Sequence, residues 1–311
     1  MGKINDITKK YMKQNDRFAD VCNYYLFNGE SVIRADELEE KDITELGLFE
    51  GDKNKVKSIQ KLRDVLKRCV VKSANGVAYM VIGIENQADV NYAMVIRNMV
   101  YDALNYVSQV EEYSKGHRAK KDLEGAEFLS GLAKTDKLMP VVTITIYWKS
   151  GKWDGARSLH EMLDVDNVDI LEYVSDYKLN LIVPDDIEDF DKFKSELGKV
   201  LNFISYSEDK DEIRRRYLES ESNEDNKLSK EAVILLNECV KADIRITEDE
   251  GDEKDMCKGI KDLIEEERIK TEELMTELIN KLIDNNRLVE LKAMTSDKEL
   301  RERLYNEYGL K

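Results

Sequence analysis

The stretch "RDVLKRCVVKSANGVAYMVIGIENQ", residues 63–87, constrains the fold more than any other part of the chain. Its second half is an almost unbroken apolar run, the pattern of a strand buried on both faces inside a sheet flanked by helices. Asn75-Gly76, just ahead of that run, is the strongest short hairpin signal, because both central residues of a type I′ turn take positive φ. With that pair as the loop, Asp64 falls opposite Gln87 and Leu66 opposite Glu85. Side chains alternate with period two, so Asp64, Glu85 and Gln87 are expected on one face. Directly opposed Cβ atoms lie about 5 Å apart and diagonal ones about 7–8 Å. The preceding segment, "NKVKSIQKLRDVLKRCV", also fits a helix with Val56, Ile59, Leu62, Leu66 and Cys69 on one side. Asp64 would then be an exposed acid beside a lysine.

The strand reading raises a chemical question: why an apolar strand should end in a carboxylate with an amide two residues on. Two carboxylates at that separation converge on one small hard cation, with oxygen ligands near ~2.1 Å. Magnesium is the expected ion and manganese its natural substitute. Such an ion polarises a phosphate and lowers the pKa of a bound water that attacks it. The Gln87 amide carries no charge and serves only to orient a water or meet a phosphate oxygen. Taken singly, Glu85 is also a strand-end acid facing water, and Gln87 a loop amide.

Around this hairpin the pattern is α/β, with a mixed central sheet flanked by helices. Residues 6–28 show helical spacing (Ile7, Tyr11, Phe18, Val21, Tyr25) that stops at Asn28-Gly29. "ESVIRADELEEKDIT" reads as a connector with a short helical piece. Residues 91–113 form a long helix, 116–137 a charged loop with a short helix, and "PVVTITIYW" and "LNLIVP" two further strands. Residues 188–206 are helical. Beyond about 207 apolar content drops, which sets a boundary between a domain at 1–207 and an acidic all-helical C-terminal region at 208–311. In that region Val233, Leu235, Leu236 and Val240 make one apolar stripe; Leu274, Leu278, Leu282 and Ile283 make another. The acids of "ITEDEGDEKD" lack the glycine and spacing of an EF-hand loop.

Composition narrows the function classes. The 311 residues are 41% hydrophobic, enough for a sizeable core, and 37% charged, with a net charge of −16. Residues 208–311 carry ten more acids than bases and the first 207 carry six more. Binding nucleic acid through bulk electrostatics wants the opposite sign, so a nucleic-acid role requires a local basic groove or a bound cation. No apolar run approaches the ~18 residues of a membrane span, and no secretory signal is recognisable, so a cytoplasmic location is expected. Four scattered cysteines without a CxxC pair favour inert thiols over a zinc site.

The order Asp64, hairpin, Glu85-Asn86-Gln87, long helix resembles the PD-(D/E)XK nuclease superfamily. It is most similar to the recombination-promoting nuclease group, also described as transposase-like, whose members carry Gln in place of the final Lys. The resemblance spans about 1–207. It includes "NDRFADVCNYYLFNG", where Asp16 and Phe18 match the opening helix, and continues through "RDVL", "IGIENQ", "YAMVIRNMVYDALNY" and "PVVTITIYWKSGKWDGARSLHEML". It implies a restriction-endonuclease-like fold and a metal-dependent DNA endonuclease. Asp64 and Glu85 would hold magnesium, Gln87 would occupy the lysine's place, and Asp16 would support the site. Two departures stand out: the lysine is absent, and Val95 follows Ala93-Met94 where related sequences have Pro.

The remaining candidates have plain alternatives. Asp16 also fits a helix-surface acid. Arg97, one turn into the long helix, fits either a phosphate contact or an ion pair with Asp102. His117 and His160 are too isolated for a catalytic pair, Trp148 and Trp153 suit packing, and "RRR" at 214–216 suits a solvated face. The rival to an enzyme is a nuclease-like fold kept as a binding or regulatory module, forming homo-oligomers through its C-terminal helices.

Overall fold

The computed structural model describes residues 2–40, 64–73, 76–165, 168–217, 227–245 and 253–310. The chain is α/β, with a five-stranded mixed sheet in the order β1-β2-β3-β4-β5. The strands are β1 (Glu39–Glu40), β2 (Val65–Ser73), β3 (Gly76–Gln87), β4 (Val141–Tyr147) and β5 (Asn180–Ile182). β1, β2 and β3 pair antiparallel, while β3–β4 and β4–β5 are parallel. The chain divides into two compact units, 1–213 with 228–242, and 214–227 with 243–311.

The central strand β3 is buried through Val81, Ile82 and Ile84, as its apolar run requires. The segment before it is strand and not helix from Val65 onward, and most of the helical alternative, residues 54–63, lies outside the described residues. Ser73 pairs with Gly76 and Val65 with Ile84, so the register differs from the expected one by two residues. Gly76 already belongs to β3, and the two residues between the strands, 74 and 75, lie outside the described ones. Position 64 therefore aligns with Glu85, not with Gln87. Because the shift is even, no side chain of the hairpin changes face.

Helices α1 (Gly2–Met12) and α2 (Asn15–Phe27) replace the single helix expected over 6–28. They cover one sheet face. The Lys67 ammonium, fully buried beneath them, donates to Lys13 O and Asn15 Oδ1 at 2.5 Å each and lies 4.9 Å from the Phe18 ring centre. The helix pair ends where the sequence says it should. Asn28 takes the left-handed conformation with φ 53°, and Gly29 follows with φ 88°. A Cβ on Gly29 would stand 2.9 Å from both the Lys192 Cβ and its carbonyl oxygen, so glycine is required there sterically as well. Asn23 then pins the emerging chain, accepting from Ile33 N at 2.8 Å and donating to Ile33 O at 2.9 Å.

Parallel pairing of β3 with β4 needs a long crossover, supplied chiefly by α3 (Met94–Lys120) and the short α4 (Gly125–Ser130). α3 lies on the other sheet face and runs to Lys120, beyond the 113 expected. Its buried side is largely polar: Asn98 donates to Thr145 Oγ1 (2.9 Å), Asp102 accepts from Thr143 Oγ1 (2.6 Å), and the Tyr106 hydroxyl accepts from Val141 N (3.1 Å). Met94 and Val95 join Tyr147, Trp153, Leu179 and Val183 in an apolar cluster.

α5 (Leu197–Tyr206) is seated by the buried Asp20, which accepts from Lys194 N, Ser195 N and Ser195 Oγ at 2.6–2.8 Å. After α6 (Lys210–Tyr217), α7 (Lys230–Val240) returns to the first unit. It is tied to α2 by Arg17, which reaches Glu231 (3.1 Å) and Glu196 (2.7 Å). Val233, Leu235 and Leu236, assigned by the sequence to a C-terminal helical region, are thus core of the first unit. The second unit contains α8 (Met256–Asp284), α9 (Leu288–Ala293) and α10 (Lys298–Glu307) around Leu278, Leu282, Met294 and Leu304. Ile283, expected on that stripe, is half exposed. Most of the acidic run considered for calcium, residues 246–252, lies outside the described residues.

Candidate functional site

The end of β3 brings together residues that are 21 apart in sequence. The Asp64 backbone N–H donates to Glu85 Oε1 at 3.2 Å. In the other direction Asp64 Oδ2 accepts from the backbone N–H of Asn86 at 2.9 Å and from its side-chain amide at 3.3 Å. Asp64 stands just ahead of β2, so the pleat does not dictate its orientation. Reciprocal hydrogen bonds hold the pair, in place of the opposed Cβ atoms expected from a longer strand.

Glu85 is only 1% exposed, so it is not a water-facing strand end. Its Oε2 meets the Arg97 guanidinium at 3.4 Å. Arg97 is placed there by α3 and also donates to the Tyr101 hydroxyl at 3.0 Å. Asp102, the other partner considered for Arg97, accepts from Thr143 and from the Tyr177 hydroxyl (2.6 Å). Burial pushes the Asp64 carboxyl above its usual range, while the Asn86 hydrogen bonds and the cations Lys9 and Arg97 pull it down. For Arg97 burial disfavours the charge, yet the Tyr101 hydroxyl and the Glu85 and Asp64 carboxylates hold its pKa above the ordinary value.

Gln87 is half-buried, two residues on from Glu85 and therefore on the same sheet face; it pairs with Tyr147 of β4. Its carbonyl accepts from Trp148 N at 2.9 Å. Asp16 is exposed in the first turn of α2, where an acid suits the positive end of the helix dipole. Trp148 and Trp153 are buried.

Comparison with family models, with curated proteins and with solved structures found no match to this chain.

Three members of the site were not singled out from the sequence. Asn86, the middle residue of the Glu-Asn-Gln run, is buried on the face opposite Glu85 and accepts from Trp148 Nε1 at 2.9 Å. The signal was present: an amide inside a strand buried on both faces must find partners. Asn98, fully buried on α3, donates to Thr145, the cross-strand neighbour of Glu85, while its Oδ1 has no hydrogen-bond partner among the described residues. Lys9 comes from α1, far away in sequence, and no local pattern points to it. Among the described residues there is no group of three or more His, Cys, Asp and Glu that could hold a metal ion. The Asp64 carboxylate is thus held by Asn86 and the Glu85 carboxylate by Asp64 N and Arg97.

Proposed function

We propose that the chain is a magnesium-dependent endonuclease of the PD-(D/E)XK kind, acting on DNA by hydrolysis of phosphodiester bonds, with a restriction-endonuclease-like first unit. The observation that carries this reading is the reciprocal hydrogen bonding of Asp64 and the Glu85-Asn86 pair at the end of the central strand. A mixed sheet of this order, with the acidic pair on the antiparallel hairpin and a long helix after it, supports the same family.

The donor set fits magnesium. The ion favours one or two carboxylates plus waters and substrate phosphate, so two acids suffice. Both hydrogen bonds to the Asp64 carboxylate fall on Oδ2. The buried Asn98 Oδ1, one contact behind Glu85, offers a further acceptor. Asp64 and Glu85 would hold the ion, which supplies charge stabilisation at the phosphate and a more acidic bound water. Asn86 orients Asp64. Arg97 counters charge that builds on the phosphate oxygens, the kind of term that usually dominates such catalysis. Gln87 orients a water or a phosphate oxygen, and Asp16 keeps the supporting role the resemblance gives it, from the first turn of α2.

One observation favours a second reading. Arg97 already neutralises Glu85, as expected of a nuclease-like module retained for binding, with homo-oligomers formed through the C-terminal helices. Plasmid nicking with magnesium or manganese separates the two. The enzyme reading expects nicking by the wild type that is lost in both Asp64→Ala and Glu85→Ala. Equal nicking by all three, or no nicking and no calorimetric metal binding at millimolar concentration, favours the module.

A further inference from the structure

The sheet face that carries Glu85 holds a second feature farther along. Arg68 pairs with Val81, four residues before Glu85 on β3, so Arg68 shares the face of Glu85. At ~3.3 Å per residue the two positions are about 13 Å apart. Between this part of the hairpin and the C-terminal half of α3 lies a cleft of about 660 Å³, within the size range of small-molecule sites. Its lining includes Arg68, Tyr79, Glu112, His117, Lys120 and Lys137.

The charge of this cleft runs against that of the whole chain. Among the described residues that line it, Arg68, Lys120 and Lys137 share the cleft with one uncommitted acid, Glu112. Asp136 also lines the cleft but is already taken up by His117 Nε2 (2.9 Å) and Ala133 N (2.8 Å). The Arg68 Nε is buried and has no hydrogen-bond partner among the described residues. Its cross-strand neighbour Glu39 is exposed on β1. A buried guanidinium N–H without an acceptor is costly, and a planar fork of donors matches phosphate geometry. Tyr79, 53% exposed and two residues from Val81 on the same face, offers an aromatic surface beside it.

We propose that this cleft is a nucleotide subsite, with a phosphate on Arg68 flanked by Lys120 and Lys137, and a base against Tyr79. Resting on the nuclease reading, it holds one nucleotide of the substrate strand at the C-terminal half of α3, away from the Arg97 end that meets Glu85. It also supplies the local basic groove that an acidic protein needs to grip nucleic acid.

The test is fluorescence anisotropy of a labelled single-stranded thymidine oligonucleotide on the full chain in EDTA, with dTMP and inorganic phosphate as competitors. Arg68→Gln is expected to weaken binding about tenfold, Arg68→Lys to restore part of it, and Tyr79→Ala to weaken it several-fold, as loss of one base stack does. Lys199→Gln, an exposed cation elsewhere, is expected to leave it unchanged. Oligonucleotide binding far tighter than dTMP binding assigns the site to a strand, and comparable affinities assign it to a free nucleotide. Wild-type binding by both Arg68→Gln and Tyr79→Ala, each with an unchanged melting temperature, overturns the proposal, as does binding of none of the probes. Binding lost in Arg68→Gln with no nicking by the wild type sinks the nuclease reading and leaves the subsite. Nicking with an unaltered KM in Arg68→Gln does the reverse.

Discussion

Trp148→Phe tests a buried polar link of the site. The indole N–H donates to Asn86 Oδ1 at 2.9 Å, with Trp148 fully buried and Asn86 2% exposed. Phenylalanine keeps most of the ring and can retain the edge contact with Tyr11, whose centroid lies 6.2 Å away. What it removes is the donor, so Asn86 Oδ1 loses its indole partner inside the protein at a cost of about 1–3 kcal/mol. The smaller ring leaves a void worth about 1 kcal/mol more. The expected loss is therefore about 2–4 kcal/mol, read as a lower urea midpoint by far-UV circular dichroism at constant m-value. The same substitution in an Asn86→Leu background, where no acceptor is left stranded, is expected to cost only the packing part. Equal costs in the two backgrounds, or a loss under about 1 kcal/mol in the wild type, would refute the assignment of the stability to this bond.

Three further outcomes are expected. Gly198→Ala should destabilise by about 1–3 kcal/mol, because the new Cβ would lie 2.7 Å from the Phe193 Cβ and 3.0 Å from Phe190 O; a melting temperature within a degree of the wild type would contradict this packing. His117 is held by hydrogen bonds to Asp122 and Asp136, which raise its pKa above 6.5. A raised pKa stabilises fully below the unfolded value and is lost as pH rises through the folded one, so the melting temperature should fall from about pH 6.5 upward and His117→Gln should flatten that slope. Asp64 is raised by burial, so its protonated form is favoured in the fold and its charge costs stability at neutral pH. Asp64→Asn, melted in EDTA at pH 7, should be more stable than the wild type although inactive in the nicking assay, and a lower melting temperature would count against that account.

The strong signals in the sequence were those with a local physical cause. The apolar run of β3, the stop at Asn28-Gly29 and the strands after Pro140 and before Pro184 all stand where their residues put them. The hairpin was legible but its register was not. Asn75-Gly76 names a turn without fixing which residue starts the strand, and Gly76 proves to be paired with Ser73. Because the error was even, Glu85 and Gln87 stayed on the expected face and Asp64 stayed beside β3. Nothing local distinguishes the break between α1 and α2, since apolar spacing continues through it. The role of α7 was hidden for a different reason. Its anchors, Arg17 with Glu196 and Glu231, join residues more than 170 positions apart in sequence, and no window sees them together.

The polar side of α3 explains how Arg97 comes to face Glu85 at all. Asn98, Asp102 and Tyr106 advance four residues at a time along the helix, while their partners Thr145, Thr143 and Val141 step back two at a time along β4. Four helical residues rise about 6 Å and two strand residues about 6.6 Å, so the two series stay in step for three rungs. Extending the series by one rung pairs Met94 with Tyr147, and both belong to one apolar cluster. A slip of the helix by one turn would misalign these rungs and strand buried hydroxyls and amides, at about 1–3 kcal/mol each, whereas an apolar helix could slide at little cost. The rungs therefore fix the helix axially as well as holding it on the sheet. Thr145 is the cross-strand neighbour of Glu85, and Arg97 precedes the residue that bonds Thr145. The position of the guanidinium against the carboxylate is thus set by the ladder behind it, which enters the site only through its first rung, Asn98.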